Sequence, residues 1–263
     1  FLLIPLMAPG HIIPLIDMAK LLAGRGSHVS IVVTPLNAAR FESVVSRAAS
    51  SGLSIRLLRV EFPGERVGLP SGSDSADKLP SYSLVKKFFQ ALILMEEPVE
   101  NLIRNMDPFP GCIIGDKHIP WIIAVSEKLE VPTILFDGMS CFTQMVAHSV
   151  YRSKIHEQVE PDEYFAVSDV GEEVVEFTRR QLPGFFNPGP DDFTAVRRQI
   201  RESELRAYGM AVNTFEELEK RYVDEFRSLK KGKVWAVGPF CLCTDDDLDR
   251  AERGDRASIA VDR

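Results

Sequence analysis

Residues 1–20 read FLLIPLMAPGHIIPLIDMAK. Six mostly apolar residues run into a turn, Ala8-Pro9-Gly10-His11. An amphipathic pattern follows at once, through Ile13, Leu15, Ile16, Ala19 and Leu22. A short apolar run bounded by Pro and Gly, then helical spacing, predicts a buried parallel strand feeding a helix. His11 then lies at the carboxyl end of the first strand, the edge on which open α/β sheets bind ligands. Gly10 allows close backbone approach to a ligand, and Pro14 suits a first helical turn.

The same alternation continues along the chain. Strands are predicted at 28–34, 53–60, 111–116, 131–136, 209–213 and 233–237, with helices at 35–49, 120–129, 139–153, 193–206 and 215–229. This order argues for an α/β fold, a Rossmann-like doubly wound parallel sheet flanked by helices. Residues 82–106 read as a long helix that Pro98 bends or divides. The polar, Gly/Pro/Ser-rich stretch 61–81 is a long loop, of a length that is usually functional or mobile. Residues 154–192 read as irregular, and the charged tail 244–256 as a solvated linker.

Composition narrows the function classes. The 263 residues are 45% apolar and 26% charged, with a net charge of −7. That balance favours neither nucleic acid nor an anionic membrane as partner. No apolar stretch approaches the roughly 20 residues of a membrane-spanning helix. Phe1 to Pro9 lacks a basic leader and a cleavage site, which argues against a signal peptide. Cys112, Cys141, Cys241 and Cys243 show no CxxC spacing, so reduced, mostly buried thiols in a cytoplasmic protein are expected rather than zinc.

Each chemical candidate has a plain structural alternative. His11 is either a turn residue bonded to backbone or a general base for a hydroxyl proton. Asp116 ends a strand before a helix, so it is either an N-cap or the carboxylate that orients His11. Asp137 occupies the same kind of position one strand later and competes for that role. Phe88, Phe89, Phe136, Phe142, Phe185 and Phe186 either line a pocket for a flat ligand or fill the core. No G-x-G-x-x-G or P-loop follows a strand, and no G-x-S-x-G is present.

Four stretches in order then carry a family pattern: PGHIIP (9–14), CIIGD with Pro120-Trp121 (112–121), AVNTFEELE (211–219) and KVWAVGP (233–239). The chain resembles plant UDP-dependent glycosyltransferases that act on small molecules. The resemblance implies the N-terminal, acceptor-binding domain of a GT-B fold, spanning 1–243. Residues 244–263 would form the interdomain linker and the start of a donor domain. It further implies His11 as general base, Asp116 as its orienting carboxylate, and an inverting displacement that needs no metal and no cofactor beyond a UDP-sugar co-substrate. Gly10, Phe88, His118, Met139 and Phe185 are the expected acceptor contacts.

The family's donor signature, with its H-x-G-W-N-S run, does not occur in these residues. Asp137-Gly138 stands where the family often has Trp or Thr near the donor sugar. The chain is therefore expected to be half of a two-domain glucosyltransferase, trimmed at both ends and inactive alone, whose partners are a hydroxylated small metabolite and a UDP-sugar. Two alternatives stand beside this reading: a non-catalytic aglycone-binding module, and a nicotinamide-dependent oxidoreductase.

Overall fold

The computed structural model describes residues 1–171, 174–183, 186, 194–243 and 247–253. The apolar runs become β1 (Leu2–Ile4), β2 (Val29–Val33), β3 (Ile55–Arg59), β4 (Ile113–Asp116), β5 (Thr133–Asp137), β8 (Gly209–Val212) and β9 (Val234–Ala236). They pair in parallel in the order β3-β2-β1-β4-β5-β8-β9. β1, β2, β4 and β8 are buried along their whole length. A strand covered on both faces needs apolar side chains in both directions, which is why these segments read as continuous rather than alternating runs.

Period-two geometry divides those side chains between two core layers. Leu2, Ile4, Ile113, Leu135 and Val212 face one layer. Leu3, Ile31, Ile114, Phe136 and Ala211 face the other, where α1 (Pro9–Gly24) and α2 (Pro35–Ser50) cover them. The first layer is closed by α3 (Val85–Leu94), α4 (Glu96–Arg104), α5 (Ile122–Lys128), α6 (Cys141–Ser153) and α8 (Glu216–Leu229). Each fully buried Leu, Ile or Phe contributes about 1.5–3 kcal/mol. α7 (Thr194–Arg206) lies beside α5.

Local sequence sets where the elements begin and end. Pro9 takes the first helical position, so Gly10 and His11 lie inside the first turn of α1 rather than in a turn before it. Pro14 sits within the helix, where its ring nitrogen cannot bond the Gly10 carbonyl. The predicted 82–106 helix breaks at Met95 instead of at Pro98. Pro98 lies in the first turn of α4 and offers no N–H to the Leu94 carbonyl, so α3 cannot run through. At Gly115 an added Cβ would meet the Ile122 side chain, so a larger residue there would force Ile122 of α5 to shift. Trp121 donates its indole N–H to the Leu92 carbonyl at 2.7 Å, tying the start of α5 to α3.

Three regions read as irregular carry more order than expected. Residues 154–192 contain an antiparallel pair, β6 (Tyr164–Val167) with β7 (Val175–Thr178). The loop 61–81 is stitched down through Asp74, whose carboxylate accepts the Leu36 N–H at 2.9 Å. The Asp74 carbonyl also accepts from Thr34 Oγ1 at 3.1 Å and Asn37 Nδ2 at 3.0 Å. Within the charged tail, α9 (Asp247–Ala251) is not solvated on all sides. Asp249 is nearly buried and binds Lys20 and Arg47. Glu252 binds Arg47 at 2.9 Å, and Arg253 binds Asp17 at 2.6 Å. Alternating charge, read as a sign of solvation, instead matches the charges of α1 and α2. All four thiols are free, but Cys241 and Cys243 are exposed, which corrects the expectation of mostly buried cysteines.

The stretch NTFEELE earns its place structurally. Glu219 is buried, and its backbone leaves helical geometry (φ −147°, ψ 41°). Its two carboxylate oxygens accept the Cys141 and Phe142 N–H groups, each at 2.8 Å, and Thr214 donates to it as well. A carboxylate at the amino end of α6 satisfies orphan donors and complements the helix dipole. Glu219→Ala should therefore lower stability by about 2–3 kcal/mol. Urea unfolding followed by circular dichroism checks this, and an unchanged midpoint would refute the cap.

Candidate active site

The winding of the sheet reverses between β1 and β4, which pair directly, with Leu2 opposite Ile113 and Ile4 opposite Gly115. Open α/β sheets bind ligands outside the carboxyl ends of the strands at such a switch point. His11 reaches this position from the first turn of α1, and Asp116 is the last residue of β4. His11 Nδ1 lies 2.6 Å from Asp116 Oδ2. The two residues are 105 positions apart in sequence, so only the parallel pairing of β1 with β4 brings them together.

Asp116 is 1% exposed and would carry a heavy desolvation cost without partners. It has three. Besides His11, the His118 backbone N–H and His118 Nδ1 each lie 2.9 Å from Asp116 Oδ1. Burial works to raise the carboxyl pKa, but hydrogen bonds from His11 and His118 outweigh it and hold the group well below the usual carboxylate range. An ionised carboxylate only accepts, so each imidazole donates through Nδ1 and keeps its lone pair on Nε2. The His11 and His118 rings meet edge to face, with centroids 5.5 Å apart. For His11, burial pulls the pKa down, yet the hydrogen bond and charge of Asp116 raise it above its ordinary value.

The alternatives left open for the two carboxylates now separate. Asp116 orients His11, whereas Asp137 pairs with Lys117, Oδ2 to Nζ 2.5 Å, and accepts the Met139 N–H at 2.9 Å. Lys117 also donates to Gln144 Oε1 at 2.6 Å and lies 3.8 Å from Glu204, which in turn binds Lys230 at 2.8 Å. Burial disfavours charge on Lys117, but Asp137 and Glu204 more than offset it and hold the ammonium above its ordinary pKa. This network escaped sequence reading. Its one signal was a lysine directly following a buried strand, in GDKH.

The expected acceptor contacts fare differently. His118 stands beside His11, partly exposed. An added Cβ on Gly10 would meet no protein atom within 4 Å, so packing does not consume the space there. Met139 is 51% exposed. Phe88 is fully buried against Phe62, with ring centroids 5.2 Å apart, because the apolar face of α3 turns it into the core. Phe136 is likewise fully buried, and Phe186 is 6% exposed. Phe185 lies outside the described residues.

A folded-state pKa above the unfolded value has a defined signature. The stabilisation from the His11–Asp116 pair is complete below about pH 6.5 and is lost as pH rises through the raised folded value. NMR titration of the His11 ring should give a pKa above 6.5, and Asp116→Asn should lower it, since burial then acts against only the weaker charge of Asp137 and together with that of Lys117. An unchanged pKa in the variant would contradict the pairing.

No family profile matches the chain. Among curated proteins it is 43% identical, over 264 aligned positions, to UDP-glycosyltransferase 73C3 of Arabidopsis thaliana. It is 41% identical to UDP-glycosyltransferase 73C11 of Barbarea vulgaris. Both alignments take in 100% of this chain and 53% of the relative, so the chain spans about half the length of these proteins. Among solved structures, Glycyrrhiza uralensis UGT73P12, complexed with glycyrrhetinic acid 3-O-monoglucuronide, superposes with a TM-score of 0.84 at 31% identity. That superposition covers 98% of this chain and 52% of UGT73P12. Arabidopsis thaliana UGT89C1 complexed with quercetin shares the fold at 21% identity, with a TM-score of 0.65 over 91% of this chain and 50% of UGT89C1. The chain is thus similar, over its whole length, to about half of each of these plant UDP-glycosyltransferases.

Proposed function

We propose that this chain is the acceptor-binding half of an inverting UDP-sugar-dependent glycosyltransferase that modifies a hydroxyl of a small plant metabolite. The observation that carries the reading is His11 held by Asp116 at 2.6 Å at the switch point of the sheet. With Nδ1 committed to the carboxylate, Nε2 is the atom left to take a proton. An acceptor O–H gives that proton to Nε2 as its oxygen attacks the anomeric carbon. The bond from that carbon to UDP breaks on the opposite face, and UDP leaves with the electron pair. Asp116 stabilises the imidazolium formed in the step, as a carboxylate behind a histidine base does. Both moving charges are handled by side chains and the leaving diphosphate, so the displacement as written uses no metal ion and no resident cofactor.

Residues 1–243 form the acceptor domain in this reading, and the chain from 244 onward leads toward a donor-binding domain. Glucose is the sugar we favour, and the acceptors are hydroxylated phenolic or terpenoid molecules. Support for that class comes from the relatives: UGT89C1 was crystallised with quercetin, and UGT73P12 with a glycyrrhetinic acid glucuronide. No helix among the described residues is long and apolar enough to cross a membrane. Four free thiols, two of them exposed, fit a reducing compartment such as the cytoplasm.

Grafting the chain onto the donor half of 73C3 tests the function directly, with UDP release measured over a panel of phenolic acceptors. The chimera should turn over, the 263-residue chain alone should not, and His11→Ala should lower kcat by roughly 10²–10⁴. A chimera that binds acceptors yet releases no UDP would favour a non-catalytic binding module. A His11→Ala chimera with most of its rate would remove the base assignment. In the active chimera the acid limb of kcat/KM should lie above pH 6.5, because the base must be neutral and its pKa is raised.

A further inference from the structure

His118 adds a second imidazole to the buried carboxylate, and the three groups together offer more than an orienting contact. His11 Nδ1 and His118 Nδ1 flank Asp116, one on each oxygen, and one ligand atom from each of the three residues lies within 4.8 Å of the others. Both rings are partly open to solvent, at 29% and 28% exposure, while the carboxylate is not. The local charge balance also favours a cation. Lys117, next in sequence to Asp116, makes its ion pair with Asp137. Asp116 itself is bonded by the two imidazoles and the His118 backbone N–H.

We propose that His11, Asp116 and His118 form a binding site for a divalent transition-metal ion of the zinc type, and that occupying it inhibits the enzyme. Imidazole nitrogen and carboxylate oxygen are the donors zinc prefers after thiolate, and three such ligands leave a fourth position for water. Metal–ligand distances of about 2.0–2.1 Å place tetrahedral donors roughly 3.4 Å apart. Rotation of two half-open side chains, one on α1 and one after β4, brings them to that spacing. When zinc takes His11 Nδ1, the ring proton moves to Nε2. The nitrogen facing an acceptor hydroxyl then carries hydrogen and cannot accept the proton. This inhibitory consequence rests on the base reading of His11, whereas the metal binding does not.

Isothermal titration of the 263-residue chain with zinc chloride, and the visible absorption of its cobalt(II) form, separate the two parts. Zinc should bind once per chain in a tetrahedral site. His118→Ala should weaken it by at least about a hundredfold. His11→Ala, in the first turn of α1, serves as a second ligand deletion should His118→Ala unfold. Cys241→Ser/Cys243→Ser removes the exposed cysteine pair and should leave the affinity unchanged. Absence of saturable binding, binding that survives both histidine deletions, or binding lost with the cysteines would overturn the site. In the chimera, zinc should inhibit competitively with acceptor and chelator should reverse it. Zinc bound to an active chimera without inhibition would overturn the inhibitory half. An inactive chimera would count against the function reading, leaving the titration to decide the metal.

Discussion

One carboxylate, almost wholly removed from water, organises the carboxyl edge of this sheet. Asp116 stays ionised because two imidazoles and a backbone N–H point at it. Its burial in turn follows from the pairing of β4 with β1 and β5 at the centre of a seven-stranded parallel sheet. Put the same residue on an exposed edge strand and water would screen the pair, leaving little to orient an imidazole. The sheet therefore supplies the low-dielectric setting in which one hydrogen bond can fix a tautomer.

Around that centre, opposite charges are kept apart by geometry. Lys117 and Asp116 are adjacent in sequence, yet Lys117 is drawn to Asp137, Gln144 and Glu204. Successive residues at a strand end point to opposite sides, so the ammonium serves the helical layer and the carboxylate serves the ligand edge. A lysine salt-bridged to Asp116 would have taken the place of the imidazole proton. The Lys117 network instead links the ends of β4 and β5 to α6 and α7. Glu219 closes the amino end of α6 in the same region. Together these contacts make a polar, ion-paired wall beside the site.

The charged helix α9 shows how composition can mislead. Its charged residues and those just after it have the makeup of a solvated linker, but Asp249, Glu252 and Arg253 complement Lys20, Arg47 and Asp17 on α1 and α2. Partly exposed pairs of this kind contribute little singly, and more as a network. Residues 247–253 are thereby held against α1 and α2.

Sequence by itself determined the parallel sheet, its helical cover and the first two members of the site. Continuous apolar runs, Pro and Gly punctuation and the placement of His11 and Asp116 at strand ends are local properties of the chain, and local properties can be read without coordinates. Tertiary structure supplied the reason why Asp116 and not Asp137 meets His11: β4, and not β5, lies beside β1. It alone sent Phe88 into the core, formed the β6–β7 pair and docked α9. It also joined His118 to the His11–Asp116 pair and enclosed Lys117. Each of those outcomes depends on groups far apart in sequence meeting at a distance that only the folded chain defines. Periodicity reports which face of an element is apolar, not what stands opposite it.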